Sequence, residues 1–172
     1  AMKKGMADPA GEAVRHRLAE DLHIDVDTIR VIDIYTIQAS LSDDELERVR
    51  TELFTDPIIQ ESTLNTSTAH DFDYLIEVGF RPGVTDNVGK SSVEGIQDTL
   101  GRALGAYEAV YTSTQYALSG VDEKTGLKIA QRALANDLIE HWVMKSAGEM
   151  AAIGDDSLLD LPIVTDLSET TV

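Results

Sequence analysis

The chain has 172 residues, no cysteine, and a net charge of −17 that arises from 31 acidic and 14 basic residues. The length suits one compact domain or two small ones, and the absence of cysteine excludes disulfides, thiolate metal sites and a cysteine nucleophile, which favours a cytosolic protein. The negative charge disfavours nucleic acid and anionic membranes as partners, and no apolar run approaches the roughly 20 residues that a membrane helix needs.

An internal repeat organises the sequence. The matching positions are Gly5 and Gly83, Asp8 and Asp86, Gly11 and Gly89, Tyr35 and Tyr116, and Ile37 and Leu118. The distance along the sequence between matching positions is the same for the glycines and the aspartates, and it is slightly larger for the later positions. We therefore expect a short insertion near Gly105 in the second copy. We interpret the pattern as a duplication, with a first unit at residues 1–66 and a second unit at 67–145.

The first unit is predicted to begin with a capped helix and a long strand. Asp8 can accept hydrogen bonds from the free amides of a first helical turn, and Pro9 suits the position where a missing N–H costs nothing. The apolar residues at helical spacing that follow are Val14, Leu18 and Leu22. Residues 28–38 are rich in β-branched and aromatic side chains, which predicts a strand.

A second helix and a short strand are predicted to complete the first unit. Ser42 and Glu45 have the spacing of a capping box ahead of a helix. The apolar residues of this helix are Leu46, Val49 and Leu53. Asp56-Pro57 is expected to end it, and residues 58–63 predict a closing strand.

The second unit is predicted to contain the same elements and an opening strand. Residues 72–80 alternate between apolar and polar side chains, which predicts a half-buried strand with Asp73 and Glu77 on its polar face. The remaining predicted elements are, in order, an N-cap at Asp86, a helix to Leu100, a strand at 108–118, a helix capped by Asp122 and a closing strand at 138–144.

These patterns predict an α+β fold in which sheets pack against helices. Only four residues precede Gly5, so we expect the first unit to lack its opening strand. The edge left unpaired would accept another segment or another chain, and a homodimer through it is one expected arrangement. Residues 146–172 contain six acidic residues and no lysine or arginine, which predicts an acidic linker or docking tail.

Residues 83–91, Gly-Val-Thr-Asp-Asn-Val-Gly-Lys-Ser, are the sharpest candidate for a chemical motif. A phosphate-binding P-loop has four residues between its glycines, whereas this segment has five and places a carboxylate where the anion would bind. We therefore interpret it as a capped turn that serves the structure or contacts a partner. The residues of this turn are Pro82, Gly83, Thr85, Asp86, Asn87 and Gly89, and their repeat counterparts are Gly5, Asp8 and Gly11.

No other motif indicates catalysis. The histidines at positions 16, 23, 70 and 141 lack the spacing of a metal site and are interpreted as structural. Asp25-Val-Asp27 and Asp155-Asp156 lack the full pattern of a calcium loop. Trp142 is expected in the core or at an interface. We therefore assign no catalytic, cofactor-binding or metal-ligating residue.

The sequence resembles a known family in both units. In the second unit the resemblance lies in 76–90, Ile-Glu-Val-Gly-Phe-Arg-Pro-Gly-Val-Thr-Asp-Asn-Val-Gly-Lys, and 133–140, Ala-Leu-Ala-Asn-Asp-Leu-Ile-Glu. In the first unit it lies in Tyr35-Thr-Ile37, 42–49 and 54–60. Over about residues 5–145 the chain is similar to the PurS subunit of phosphoribosylformylglycinamidine synthase, duplicated as in chains where that subunit is fused to the synthetase subunit.

The resemblance implies a supporting role in a multi-part ligase. The family enzyme uses ATP and glutamine to amidate formylglycinamide ribonucleotide in purine biosynthesis. ATP and magnesium would belong to the synthetase part, and the cysteine nucleophile to the glutaminase part, so this chain would hold no cofactor and would not be an enzyme by itself. The expected function is a non-catalytic module that holds the synthetase and glutaminase parts together.

Two other functions remain open. Paired α+β units of this size often hold small molecules between them, which would make the chain a regulatory ligand-binding domain. A nucleotide-hydrolysing enzyme would depend only on the loop before Lys90.

Overall fold

The computed structural model describes residues 1–153, and its centre is a sheet of four antiparallel strands in the order β1-β3-β2-β4. The strands are Thr28–Gln38 (β1), Tyr74–Phe80 (β2), Ala109–Ser119 (β3) and Glu140–Ser146 (β4). The helices are Pro9–Leu22 (α1), Asp43–Glu52 (α2), Asn87–Leu100 (α3), Glu123–Ile129 (α4) and Ala147–Ile153 (α5). The predicted α+β fold is confirmed. A π-helical turn, Ala130–Leu134, continues α4.

The two long strands, β1 and β3, pair along the whole length of each. Asp33 lies opposite Thr114 at the middle of this ladder, and these two residues are related by the same offset as Tyr35 and Tyr116 of the sequence repeat. Val31 lies opposite Tyr116 and Tyr35 opposite Thr112 on either side of the central pair. The longest ladder of the sheet is therefore centred on equivalent positions of the repeat.

One face of the sheet packs against α1, α2, α3 and α4. The first apolar cluster on this face contains Leu18, Ile29, Ile76, Leu118 and Ile129. The second contains Val49, Ile96 and Val110, with Tyr35 stacked on Phe54 at a centroid distance of 4.2 Å. These residues bring the helices of both predicted units onto one sheet, and their burial is the main source of stability.

The opposite face is partly covered by α5. Met150 packs with Leu75, Ala117 and Phe72 on this side. Strand β2 is therefore buried on both faces, from Leu75 through Gly79, rather than half-buried as its alternation predicts. Residues 147–153 form a helix where the sequence predicts the start of a linker, and the rest of the predicted tail lies outside the described residues.

The predicted closing strand at 58–63 is wrong. Gln60 makes an isolated bridge to Met2, but the residues before it form a turn in which Gln60 N–H donates to the carbonyl of Asp56 at 2.8 Å. In the second unit the equivalent turn delays the closing strand, which begins at Glu140 instead of 138. Within residues 1–153, no helix has the length and apolar character needed to span a membrane.

The predicted caps of the second helices are confirmed. Ser42 and Glu45 form the capping box of α2, and Asp122 accepts from the N–H of Thr125 at 2.8 Å at the start of α4. Glu45 also accepts from Arg102 Nε at 2.8 Å. The hydrogen bonds that the Glu45 carboxylate accepts, chiefly the one from Arg102, lower the pKa of Glu45 to about 2. The ion pair of Glu45 and Arg102 therefore persists down to acidic pH.

Candidate functional site

The turn before α3 links that helix to strand β3. One carboxylate oxygen of Asp86 accepts from the N–H of Gly89 at 2.7 Å. The other oxygen accepts from the N–H and the hydroxyl of Thr112 at 2.7 Å and 2.9 Å. The predicted N-cap is confirmed, and the same side chain also fixes the start of the helix against the sheet.

The turn before α1 has the same construction. Asp8 accepts from the N–H of Gly11 at 2.9 Å through one oxygen and from the N–H of Val31 at 2.8 Å through the other. The aspartates and glycines of the two turns are related by the first offset of the repeat, and their strand partners, Val31 and Thr112, by the second. The bond from Val31 to Asp8 and the bond from Thr112 to Asp86 therefore join equivalent positions of the two repeat copies.

Gly11 and Gly89 allow the helices to approach the sheet. A Cβ atom on Gly11 would lie 2.0 Å from the carbonyl oxygen of Ile29, and one on Gly89 would lie 2.2 Å from that of Val110. Both distances are far inside van der Waals contact, so only glycine fits. Sequence comparison of the two units identifies these glycines, but their contact partners lie on strands that only the fold brings near.

Two amides at the start of α3 are used within the turn at 82–90 and are not available to a phosphate. The Gly89 amide already donates to the Asp86 carboxylate, and the Lys90 amide donates to the Asp86 carbonyl at 3.1 Å. Asp86 therefore places negative charge where an anion would bind. The other predicted residues of this turn that lie on the surface are Pro82, Gly83, Thr85 and Asn87.

A second turn lies beside it and exposes an apolar side chain. Leu138 is 86% exposed, and its N–H donates to the side chain of Asn136 at 3.1 Å. Arg81 Nε donates to the carbonyl of Asp137 at 3.0 Å and ties this turn to the end of β2. We call residues 82–88 and 136–139 the second turn surface.

The first unit has an equivalent surface. Ile58 is 77% exposed, and its N–H donates to the side chain of Asp56 at 2.9 Å. Lys3 Nζ donates to the carbonyl of Pro57 at 2.6 Å. This bond is the counterpart of the bond from Arg81 to the carbonyl of Asp137 in the second unit. We call residues 4–10 and 56–59 the first turn surface. The most exposed apolar side chain of each surface, Ile58 or Leu138, therefore lies on a turn fixed by hydrogen bonds.

Strand β2 carries a buried carboxylate that the sequence places on a polar face. Glu77 and Gln115 are 0% and 1% exposed, and Gln115 Nε2 donates to Glu77 at 2.8 Å. The Ser113 hydroxyl also donates to this carboxylate. Because the group is closed to solvent and held by hydrogen bonds, it stabilises the sheet rather than acting on a substrate.

The histidines and the tryptophan are not gathered into a site. No group of three or more potential metal-ligating side chains occurs within residues 1–153. His23 contacts the carbonyl of Ala19 through Nδ1 at 3.3 Å, and Nδ1 of His70 is buried without a hydrogen-bond partner. Trp142 is half-buried and packs against the first apolar cluster, in keeping with its expected place in the core.

A groove of about 850 Å³ follows the edge of β1 that faces away from β3, where no strand of residues 1–153 pairs. Residues 32–37 of the strand form one wall and residues 60–68 form the other, with Leu46, Leu53 and Phe54 also contributing. Ala1 lies in the lining, where its amino group donates to the carbonyl of Glu61 at 3.1 Å. Burial lowers the pKa of this amino group.

The comparisons with known proteins concern the first unit. Residues 1–68 match the family PurS, described as phosphoribosylformylglycinamidine (FGAM) synthase. No curated protein matches the chain. The matched segment contains Asp8, Gly11 and the whole of β1, and it ends in the second wall of the groove. Residues 1–68 of this chain are therefore similar to PurS.

Proposed function

We propose that this chain is a tandem pair of PurS-like units, at 1–66 and 67–145, that serves as a non-catalytic assembly module of FGAM synthase in purine biosynthesis. The match of residues 1–68 to PurS carries the proposal. The extension to the second unit is supported by the aspartate bridges and glycine contacts, which recur at the two offsets of the sequence repeat. The partners are then the synthetase and glutaminase parts of the enzyme.

The two turn surfaces suit a role in association. Ile58 and Leu138 are exposed to water, and a partner that binds these turns would bury them and gain from the burial of apolar surface. Their turns are fixed by hydrogen bonds, so little conformational entropy is lost when a partner binds. The resemblance assigns ATP and magnesium to the synthetase part, and the occupied amide of Gly89 supports the absence of a phosphate site at the turn of Asp86.

Substitution of Leu138 by aspartate is expected to weaken assembly at least tenfold. A charge at an interface centre is unpaired and desolvated, which costs more than about 1.4 kcal/mol. Ile58→Asp is the equivalent change on the first turn surface. The affinity of the chain for the purified synthetase and glutaminase parts can be measured by co-elution and calorimetry.

The matched control is Tyr107→Asp, because Tyr107 is also 77% exposed but lies outside both turn surfaces. This control should leave the affinity unchanged, and all three variants should keep the melting temperature of the parent chain. A parent chain that fails to associate with either part would contradict the assembly function. Normal association of both turn variants would remove the turn surfaces from the interface.

The chain alone is expected to bind ATP–magnesium no more tightly than millimolar and to hydrolyse no glutamine. Isothermal titration calorimetry with ATP–magnesium should detect no heat of binding for the parent chain or for the Lys90→Ala variant. Micromolar binding that Lys90→Ala abolishes would contradict the proposal and favour the nucleotide-binding function. Because Lys90 is exposed, the substitution should not disturb the fold.

The alternative of a regulatory ligand-binding domain is favoured by one feature, the groove beside β1. The lining, however, includes the consecutive strand residues 32–37. A lining of this kind suits an extended chain better than a compact small molecule, so the groove is weak support for this alternative.

A further inference from the structure

We propose that the basic face of α4 binds the acidic segment 154–172 of the same chain, which lies outside the described residues. Three exposed cationic side chains form this face, and we call them the basic strip: Lys124, Lys128 and Arg132. The inference concerns a contact within one chain, so it goes beyond the assembly function and does not rest on it.

The side chains of the basic strip share one side of the helix. Successive members are four residues apart, and in an α-helix this spacing rotates each member by only about 40° from the one before. The π-helical turn that continues α4 is wider, so the step from Lys128 to Arg132 adds less to this drift. Arg17 of α1 brings a fourth positive charge near this turn, because its Nη2 donates to the carbonyl of Ala133 at 2.8 Å.

No acidic side chain within residues 1–153 forms an ion pair with the basic strip. Asp122 and Glu123 begin the same helix, and Asp122 is already used as its N-cap. The corresponding helix of the first unit, α2, differs because its Arg48 pairs with Glu52 at 3.1 Å. In a chain of net charge −17, a cationic face without such pairs is a local exception that attracts negative charge.

The chain itself contains a segment of complementary charge. Residues 154–172 include five acidic residues and no lysine, arginine or histidine. Asp166 lies thirteen residues beyond Ile153, the last residue of α5. A segment of that length spans up to about 43 Å when it is extended.

This length is enough to reach the basic strip from the end of α5. Helix α4 lies over β4 on one face of the sheet, where a Cβ atom on Gly126 would be 2.9 Å from Met144 Sδ. Helix α5 follows β4 directly and packs on the other face through Met150. Each helix layer lies about 10 Å from the sheet, so the path around the edge at β4 covers roughly 20–30 Å.

The strength of exposed ion pairs favours a segment of the same chain over a separate molecule. Such pairs are individually weak, so a separate acidic peptide held by three or four of them would bind no more tightly than about millimolar. A segment of the same chain reaches an effective concentration of about millimolar, which is enough to occupy the site. The contact should also weaken as salt is added, because exposed charges are screened.

The test attaches a nitroxide spin label to Ser168→Cys of the full chain, which has no other cysteine. The label lies between Asp166 and Glu169 in the sequence, so it accompanies them to the basic strip. At about 0.05 M salt, the amide signals of residues 124–132 should lose about half of their intensity or more, because the effective concentration matches the affinity. At about 0.5 M salt the signals should recover.

Substitution of the basic strip is expected to abolish this loss of signal. The variant is Lys128→Glu with Arg132→Glu, and the matched control is Arg48→Glu, which changes an exposed arginine of α2 outside the strip and should leave the loss in place. A further variant, Asp166→Asn with Glu169→Gln, should also restore the signals. It leaves residues 1–153 unchanged, so it decides the matter if the strip variant does not fold.

Several results would overturn the proposal. Full signals at 124–132 in low salt would show that the segment does not reach the strip. A loss that survives the strip substitution or high salt, or that Arg48→Glu removes equally, would show that the strip is not its binding site. In a mixture of spin-labelled chain and isotope-labelled chain, signal loss on the chain without the spin label would assign the contact to a second copy. None of these measurements uses the synthetase or glutaminase parts, so the assembly function is tested separately.

Discussion

Replacement of Gly89 by alanine is expected to destabilise the fold by about 3 kcal/mol or more, although the change adds only one methyl group. The new Cβ would overlap the carbonyl oxygen of Val110 at 2.2 Å, and a backbone atom cannot move aside as a side chain can. The start of α3 would have to shift away from β3, which would also stretch the hydrogen bond between Asp86 and Thr112. Urea unfolding followed by circular dichroism measures the loss.

Gly11→Ala should have a similar cost, because its Cβ would lie 2.0 Å from the carbonyl oxygen of Ile29. The control is Gly148→Ala in α5, where nothing lies within 4 Å of the added atom. Alanine should be neutral or slightly stabilising there, because it favours helix over glycine. A cost below about 1 kcal/mol at both Gly11 and Gly89, on the order of a surface change, would show that the helices approach the sheet less closely than described.

Replacement of Asp86 by alanine is expected to cost about 2–4 kcal/mol, because the change removes the N-cap of α3 and leaves the N–H of Thr112 without its acceptor. Each of these two losses is worth roughly 1–2 kcal/mol. Asp86→Asn should lose less, because an amide keeps one acceptor oxygen for the helix but cannot accept at both sides. Thermal and urea unfolding of both variants give the order.

Asp43→Ala is a suitable control, since Asp43 is an exposed acidic residue in the first turn of α2 that does not act as its cap. It should change the free energy of unfolding by no more than about 0.5 kcal/mol. If Asp86→Ala cost no more than this control, the bridge between helix and strand would not be a structural element. Asp8→Ala should repeat the result in the first unit, because Asp8 makes the same two bonds.

The elements with strong local signals could be predicted from the sequence. The strand expected at 28–38 is observed as Thr28–Gln38, because its run of β-branched and aromatic residues has no helical alternative. The caps at Asp8, Ser42, Asp86 and Asp122 are also observed, since a cap depends on residues within one turn.

The elements that depend on distant partners could not be predicted. Ile58 and Ile59 suit a strand by composition, but Lys3, which is distant in the chain, donates to the carbonyls of Pro57 and Ile59. They form a turn instead, and Ile58 points into water. Glu77 follows the polar alternation of its strand yet is buried, because its hydrogen-bond partners Ser113 and Gln115 come from β3, beyond the whole of α3 in the chain.

The candidate site shows the same division. The repeat identifies Gly11, Gly89, Asp8 and Asp86 as important positions from the sequence alone. The repeat cannot show that each aspartate also accepts a hydrogen bond from a strand, or that each glycine faces a strand carbonyl. Both facts depend on how close a helix and a strand lie in space. The correspondence between Val31 and Thr112 becomes meaningful only when the hydrogen bonds are known.

The pairing of β1 with β3 has a consequence for the order in which the protein can fold. Asp33 pairs with Thr114 in the other half of the chain, and the segment that matches PurS contains β1 but no strand that forms a ladder with it. During translation, β1 leaves the ribosome long before β3 exists, and contacts between such distant residues form slowly. The segment that matches PurS must therefore wait, incompletely folded, for the rest of the described sheet to be synthesised, and a fragment ending at residue 68 would lack the strand that pairs with β1.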